Sequence, residues 1–135
     1  AVSAGELGLR SYNTFSQAVT STSEDDLSSA TLVWLAIKRN AAQADADSLI
    51  FIEETAGLTV LDGAAYATPL NGALTVSGSA GDWTVTLKVE AAAMAAIGLR
   101  VGSYDAEIKY KLGNDVKVLW SGAAILNDGV VRAIA

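Results

Sequence analysis

Apolar and polar residues alternate with a period of two along residues 82–89. Trp83, Val85, Leu87 and Val89 fall on one side, and Thr84, Thr86 and Lys88 on the other. This predicts a half-buried strand, because successive side chains of extended backbone point to opposite faces. The same period governs residues 103–111, where Tyr104, Ala106, Ile108 and Tyr110 alternate with Asp105, Glu107, Lys109 and Lys111. Between these strands the small-residue run 91–98 predicts a short helical segment. A turn at Leu112-Gly113-Asn114-Asp115 then reverses the chain into the apolar strand 116–122, since Gly and Asn accept the positive φ that tight hairpins need.

Elsewhere the pattern is shorter but of the same kind. Residues 31–37 are apolar on both strand faces and stop at Lys38-Arg39, as expected of a central sandwich strand or an interface strand. Residues 48–53 and 57–61 read as two further strands. Asn71-Gly72, between 64–68 and 74–76, has the chemistry of a type I′ hairpin. Residues 123–126 form the last clear strand, and 130–132 a short tail expected to pair with a sheet edge or a neighbouring subunit. Acids at 24–26 stand where a turn or helix N-terminus would accept them, and 40–47 reads as a loop with a helical turn. Strands every 8 to 12 residues with turn chemistry between them predict an all-β fold. The expected architecture is an antiparallel immunoglobulin-like β-sandwich with one short helical segment near residues 90–97. Residues 1–23, rich in Ser, Thr, Ala and Gly, are expected to form an N-terminal arm with one short strand near 7–12. Residues 24–135 would form the single sandwich domain.

Composition narrows the chemistry. The chain has 135 residues with no Cys and no His, so disulfides, imidazole or thiolate metal sites and Ser-His triads have no residues to build them. A net charge of −6, with only 9 Lys and Arg, disfavours a nucleic-acid binder, which needs a basic stripe to neutralise phosphates. No apolar run approaches the ~20 residues of a membrane span, and residues 1–20 lack the pattern of an export signal. Ala1 is what initiator-Met removal would leave, and what trimming of a longer chain would leave equally. A chain that is 51% hydrophobic and 18% charged is more apolar than the usual ~45–50% and ~25%, which suggests apolar surface meeting a partner.

Candidate sites follow from the remaining residues. Trp34, Trp83 and Trp120 would stack sugar rings if exposed in a row, but each sits among apolar strand neighbours and reads better as core or interface. The acids at 24–26, Asp45 and Asp47 lack the spacing of a calcium loop. Asp62, Asp82 and Glu90 would serve glycoside hydrolysis only if two of them converged across a cleft. Tyr104 is expected to turn its ring inward. No catalytic, cofactor or metal residues are expected. The arm residues Leu7, Leu9, Tyr12 and Phe15 are expected to dock on a neighbour, together with Leu32 and Trp34.

The order of these motifs resembles a module of tailed-phage structural proteins, typified by the N-terminal domain of siphophage baseplate upper proteins and related tail or fibre attachment domains. The matching pieces are Asp26-Leu27-Ser28-Ser29-Ala30-Thr31, Gly57-Leu58-Thr59-Val60, the strand and helical segment 83–99, Gly102-Ser103-Tyr104-Asp105-Ala106-Glu107-Ile108, and Trp120-Ser121-Gly122-Ala123-Ala124-Ile125. The likeness spans roughly residues 25–132. It departs from the family pattern in an apparent inserted hairpin at 62–80 and in the longer arm. The resemblance implies a non-enzymatic structural or adaptor subunit of a virion, placed in the tail, baseplate or fibre-attachment region and soluble in the host cytoplasm before assembly. Its partners would be further copies of itself and other virion proteins, without nucleic acid or membrane. The alternatives are a carbohydrate-binding module recognising a host surface glycan and a capsid decoration protein.

Overall fold

The computed structural model describes residues 3–10, 13–40, 42–97 and 102–127. These form two facing sheets. The larger sheet takes the order β1-β10-β9-β3-β4-β5-β6, with β1 at Ser3–Arg10, β3 at Leu32–Lys38, β4 at Ile50–Glu53, β5 at Gly57–Leu61, β6 at Ala64–Ala65, β9 at Gly102–Leu112 and β10 at Asp115–Asn127. The smaller sheet is β2-β8-β7, from Phe15–Ser21, Asp82–Val89 and Gly72–Ser79. One helix, α1 (Ala91–Ile97), buries Ala93, Met94 and Ile97. The fold is thus the all-β sandwich with a single short helix that the alternation predicts.

All strand pairs are antiparallel except one: β1 runs parallel to β10, from Ser3 opposite Trp120 to Arg10 opposite Asn127. Nearly the whole domain lies between these two strands in the chain, so no tight turn imposes the antiparallel sense. The core lies between the sheets. Leu7 and Leu9 from β1, Val33, Leu35 and Ile37 from β3, Ile50 and Ile52 from β4, and Ile108 and Tyr110 from β9 meet Phe15 and Val19 from β2, Leu74 from β7, and Trp83, Val85, Leu87 and Val89 from β8. In β10 the register slips between Val118 and Trp120. Leu119 and Trp120, though consecutive, both join the core, as a bulge permits.

Two expectations are corrected here. Residues 3–10 and 15–21 are not an arm outside the domain. They are strands β1 and β2, and their side chains Leu7, Leu9, Phe15 and Val19 are core residues. The apolar content of this segment is low but concentrated on one face, between small or polar residues such as Gly8, Ser16 and Ala18, and this disguised a real period of two. Asn71-Gly72 is not a hairpin turn. Residues Pro69–Asn71 form a 3-10 turn, Gly72 is extended at φ −140, and β7 pairs with β8 instead of returning along β6. Residues 66–71 therefore carry the chain from one sheet to the other, and 62–80 is no inserted hairpin. This crossover packs tightly against β5. Gly57 has φ +79, and a Cβ there would lie 2.5 Å from the Pro69 carbonyl oxygen.

Candidate protein–protein interface

Strand β3 is buried on both faces, as its continuous apolar run predicts. Its outer face carries Leu32, Trp34 and Ala36, which form a second apolar cluster with Phe51 of β4 and Val60 of β5. The register explains how they meet: Ala36 pairs with Phe51, and Phe51 with Val60. On the other side of β3 the same face turns charged. Lys111 stands opposite Leu32, Lys109 opposite Trp34 and Glu107 opposite Ala36. An apolar stripe bordered by a mixed charged row results, with Trp34 only 9% exposed at its centre.

Of the six residues expected to form an interface, the structure brings together only Leu32 and Trp34. Leu7, Leu9 and Phe15 lie in the core of their own domain, and this corrects their assignment to a neighbour. Tyr12 falls outside the described residues. Among the described residues the exposed large apolar side chains are elsewhere: Leu70 in the 3-10 turn is 92% exposed, and Val116 at the start of β10 is 56% exposed.

A polar anchor closes one end of the sandwich. In the loop after β2, the Asp25 Oδ2 accepts a short hydrogen bond from the Tyr110 hydroxyl and a 3.1 Å bond from the Lys117 ammonium. The Asp25 carbonyl accepts from the Trp83 indole N–H at 3.0 Å. Ser23 Oγ lies 3.3 Å from the Tyr110 hydroxyl, and Ser21 Oγ donates to the Leu119 carbonyl at 2.9 Å. The Tyr110 hydroxyl and the Lys117 ammonium hold the Asp25 carboxyl below its ordinary 3.8. Burial and the same carboxylate push Tyr110 up, while Asp25 pushes Lys117 up. The network ties one loop to three strands of both sheets. Asp26, next in sequence, caps the 3-10 turn Leu27–Ser29 by accepting from Ser28 N, and the Ser28 and Ser29 hydroxyls hold its carboxyl low. Asp26 takes the turn-capping role that the acids at 24–26 suggest, while the Asp25 network has no counterpart in the sequence pattern.

Two of the three carboxylates considered for hydrolysis are far from each other. Asp82 and Glu90 stand at opposite ends of β8, ~26 Å apart at ~3.3 Å per residue, too far to share a glycosidic bond. Glu90 instead pairs with Lys88 at 3.0 Å, and Asp45 with the buried Lys38 at 2.7 Å. Among the described residues no group of three metal-ligating side chains gathers. Trp83 and Trp120 are 4% and 3% exposed, so the three tryptophans form no platform. Tyr104 turns its ring inward as expected. A polar hollow of about 330 Å³ opens at one end, lined by Arg39, Gln43, Asp47, Leu49, Asp62 and Tyr104.

No protein-family model matches the chain, and no curated protein matches it. Among solved structures it is similar to the major subunit of the type I aggregative adherence fimbriae of Escherichia coli, at 10% identity and a TM-score of 0.31, over 93% of this chain and 91% of that one.

Proposed function

We propose that this chain is a non-enzymatic structural or adaptor subunit of a phage-like particle, working by self-assembly and protein–protein contacts in a tail, baseplate or fibre-attachment region. The observation that carries this reading is the outer face of β3. A sandwich sheet ordinarily offers polar side chains to water on its outer face, whereas here Leu32, Trp34, Ala36, Phe51 and Val60 form an apolar cluster there. Contact with a partner would bury its half-exposed rim, and the row of Glu107, Lys109 and Lys111 beside it would set register and exclude wrong partners. The polar side chains of the Asp25 network support the same reading, since each is used to fasten one loop to the two sheets.

The test is the native mass by light scattering, alone and with candidate particle proteins, for the wild type and for Leu32→Lys and Val60→Lys. A discrete multimer or stable complex that either rim variant weakens at least tenfold supports the proposal. A chain that remains monomeric and binds none of them contradicts it.

One observation favours a glycan-binding module as second reading. The polar hollow sets Arg39, Gln43 and Asp47 around the apolar Leu49, a mixture suited to sugar hydroxyls and a sugar's apolar face. Millimolar saccharide binding abolished by Arg39→Ala together with Asp47→Ala would favour it. Absence of binding across a glycan array would remove it.

A further inference from the structure

Two sheets have four edges, and in this fold one is partly capped, one lies beside that capped strand and one is very short. The β1 edge is capped by a side chain: Gln17 of β2 donates from Nε2 to the Glu6 carbonyl at 2.8 Å and accepts from Gly8 N at 3.2 Å. The same glutamine holds β2 beside β1, so the β2 edge has a neighbouring strand next to it, although its own outward backbone groups take no bond from that glutamine. The β6 edge is only the pair Ala64–Ala65. The fourth edge, β7, is different. It spans eight residues in unbroken register with β8, from Gly72 opposite Val89 to Ser79 opposite Asp82. Its other side takes no backbone hydrogen bond among the described residues.

From this difference we infer that β7 is the self-association edge, and that its occupant is the β7 strand of a second copy, added antiparallel about a two-fold axis. The inference rests on the assembly reading and names the strand that carries it. Five features favour a second copy. An antiparallel pair of identical strands is itself two-fold symmetric, so one open edge per chain closes on its counterpart without needing a second complementary surface. The chain carries a net charge of −6, yet residues 72–81 contain no charged side chain, so two copies meet there with the least like-charge repulsion. The usual edge defences, a Lys, an inward charge, a proline or a bulge, are absent along β7. Ala73, Thr75 and Ser77 point to solvent and are small enough to sit opposite their counterparts. Leu70, the most exposed large apolar side chain among the described residues, lies just before the strand, where the end of the added strand would cover it.

Sedimentation velocity from micromolar to millimolar concentration tests the inference on the wild type, Thr75→Lys and Ala73→Lys, with circular dichroism confirming that each variant is folded. The wild type forms a reversible dimer. Each lysine variant raises the dimer dissociation constant at least tenfold, and mixing Thr75→Lys with Thr75→Glu restores the dimer. A wild-type oligomer that both lysine variants leave unchanged overturns the β7 assignment while leaving the assembly reading in place. A wild type that stays monomeric throughout overturns both.

Discussion

The two lateral sides of this sandwich are built from similar material and end differently. On one side β2, Phe15–Ser21, carries no charge and would be as adhesive an edge as any, but Gln17 spends both ends of its amide on the β1 backbone. On the other side β7, Gly72–Ser79, carries no charge either, and its outer side takes no backbone hydrogen bond among the described residues. A single amide side chain thus ties β2 to the capped β1 edge, whereas β7 has no strand tied beside it among the described residues. Edge chemistry is therefore decided by what reaches across the backbone as much as by what the strand contains.

The comparison breaks most violently if β1 and β2 are removed. Deleting residues 1–20 takes away Leu7, Leu9, Phe15 and Val19 and exposes the β10 and β8 edges. Each large core side chain is worth ~2–5 kcal/mol against a net stability of ~5–15 kcal/mol, so the truncated chain is expected not to fold, with loss of the β signature in circular dichroism and of any cooperative melt. A folded truncation with an unchanged melting temperature would mean that these strands are dispensable.

Single substitutions give the next largest effects and sharpen the contrast between the sides. Trp83→Ala empties a large buried site and loses the bond to the Asp25 carbonyl, at ~3–5 kcal/mol, and Leu9→Ala costs ~2–5 kcal/mol. Thr75→Ala on the open edge stays within ~0.5 kcal/mol. Urea titration reads all three, and a Leu9→Ala loss below 1 kcal/mol would place β1 outside the core after all.

Gln17→Ala removes both bonds of the seal. The expected cost is ~1–2 kcal/mol, from two neutral hydrogen bonds at a partly exposed site, with a new concentration-dependent association as the β1 and β2 edges open. Light scattering indistinguishable from wild type would show that the seal does not guard the edge.

The smallest effect is on pH dependence. The Asp25 carboxyl is held below 3.8 in the folded chain, so its contribution is present above that value and is lost as pH falls through the lower folded value. Tyr110, raised above 10.0, contributes below that value and loses its contribution as pH rises through the raised one. Asp25→Asn should flatten the acid limb of thermal stability and Tyr110→Phe the alkaline limb. An acid limb unchanged in Asp25→Asn would show that the carboxylate's bonds are not worth more folded than unfolded.

Much of this architecture is legible in the chain. Strand β8 and the β9–β10 hairpin show strict alternation because one face is buried and the other wet. Strand β3 reads as two-sided because it is two-sided, and the turn at Gly113 has the positive φ, +63, expected there. The sequence misleads where side chains are small. Strand β1 hides its period behind Gly8, and Asn71-Gly72 looks like a hairpin although Pro69 starts a 3-10 turn and the real β7–β8 turn uses Gly81 at φ +86. The Asp25, Tyr110 and Lys117 anchor and the Gln17 seal were invisible for another reason. The anchor's partners lie 85 and 92 residues apart, and although Gln17 is only 9 and 11 residues from its partners, a side-chain bond to backbone across two sheets leaves no local pattern in a single sequence.

The most direct measurement is residue-resolved amide hydrogen exchange on the same protein at low and high concentration. The account predicts that the Gly8 amide of β1, bonded to Gln17, is protected to the same degree at both concentrations. Alternate amides of β7, those turned away from β8, should exchange freely in dilute solution and gain at least tenfold protection as the protein is concentrated. Concentration-dependent protection appearing on β1 or β2 while β7 stays fast would contradict it.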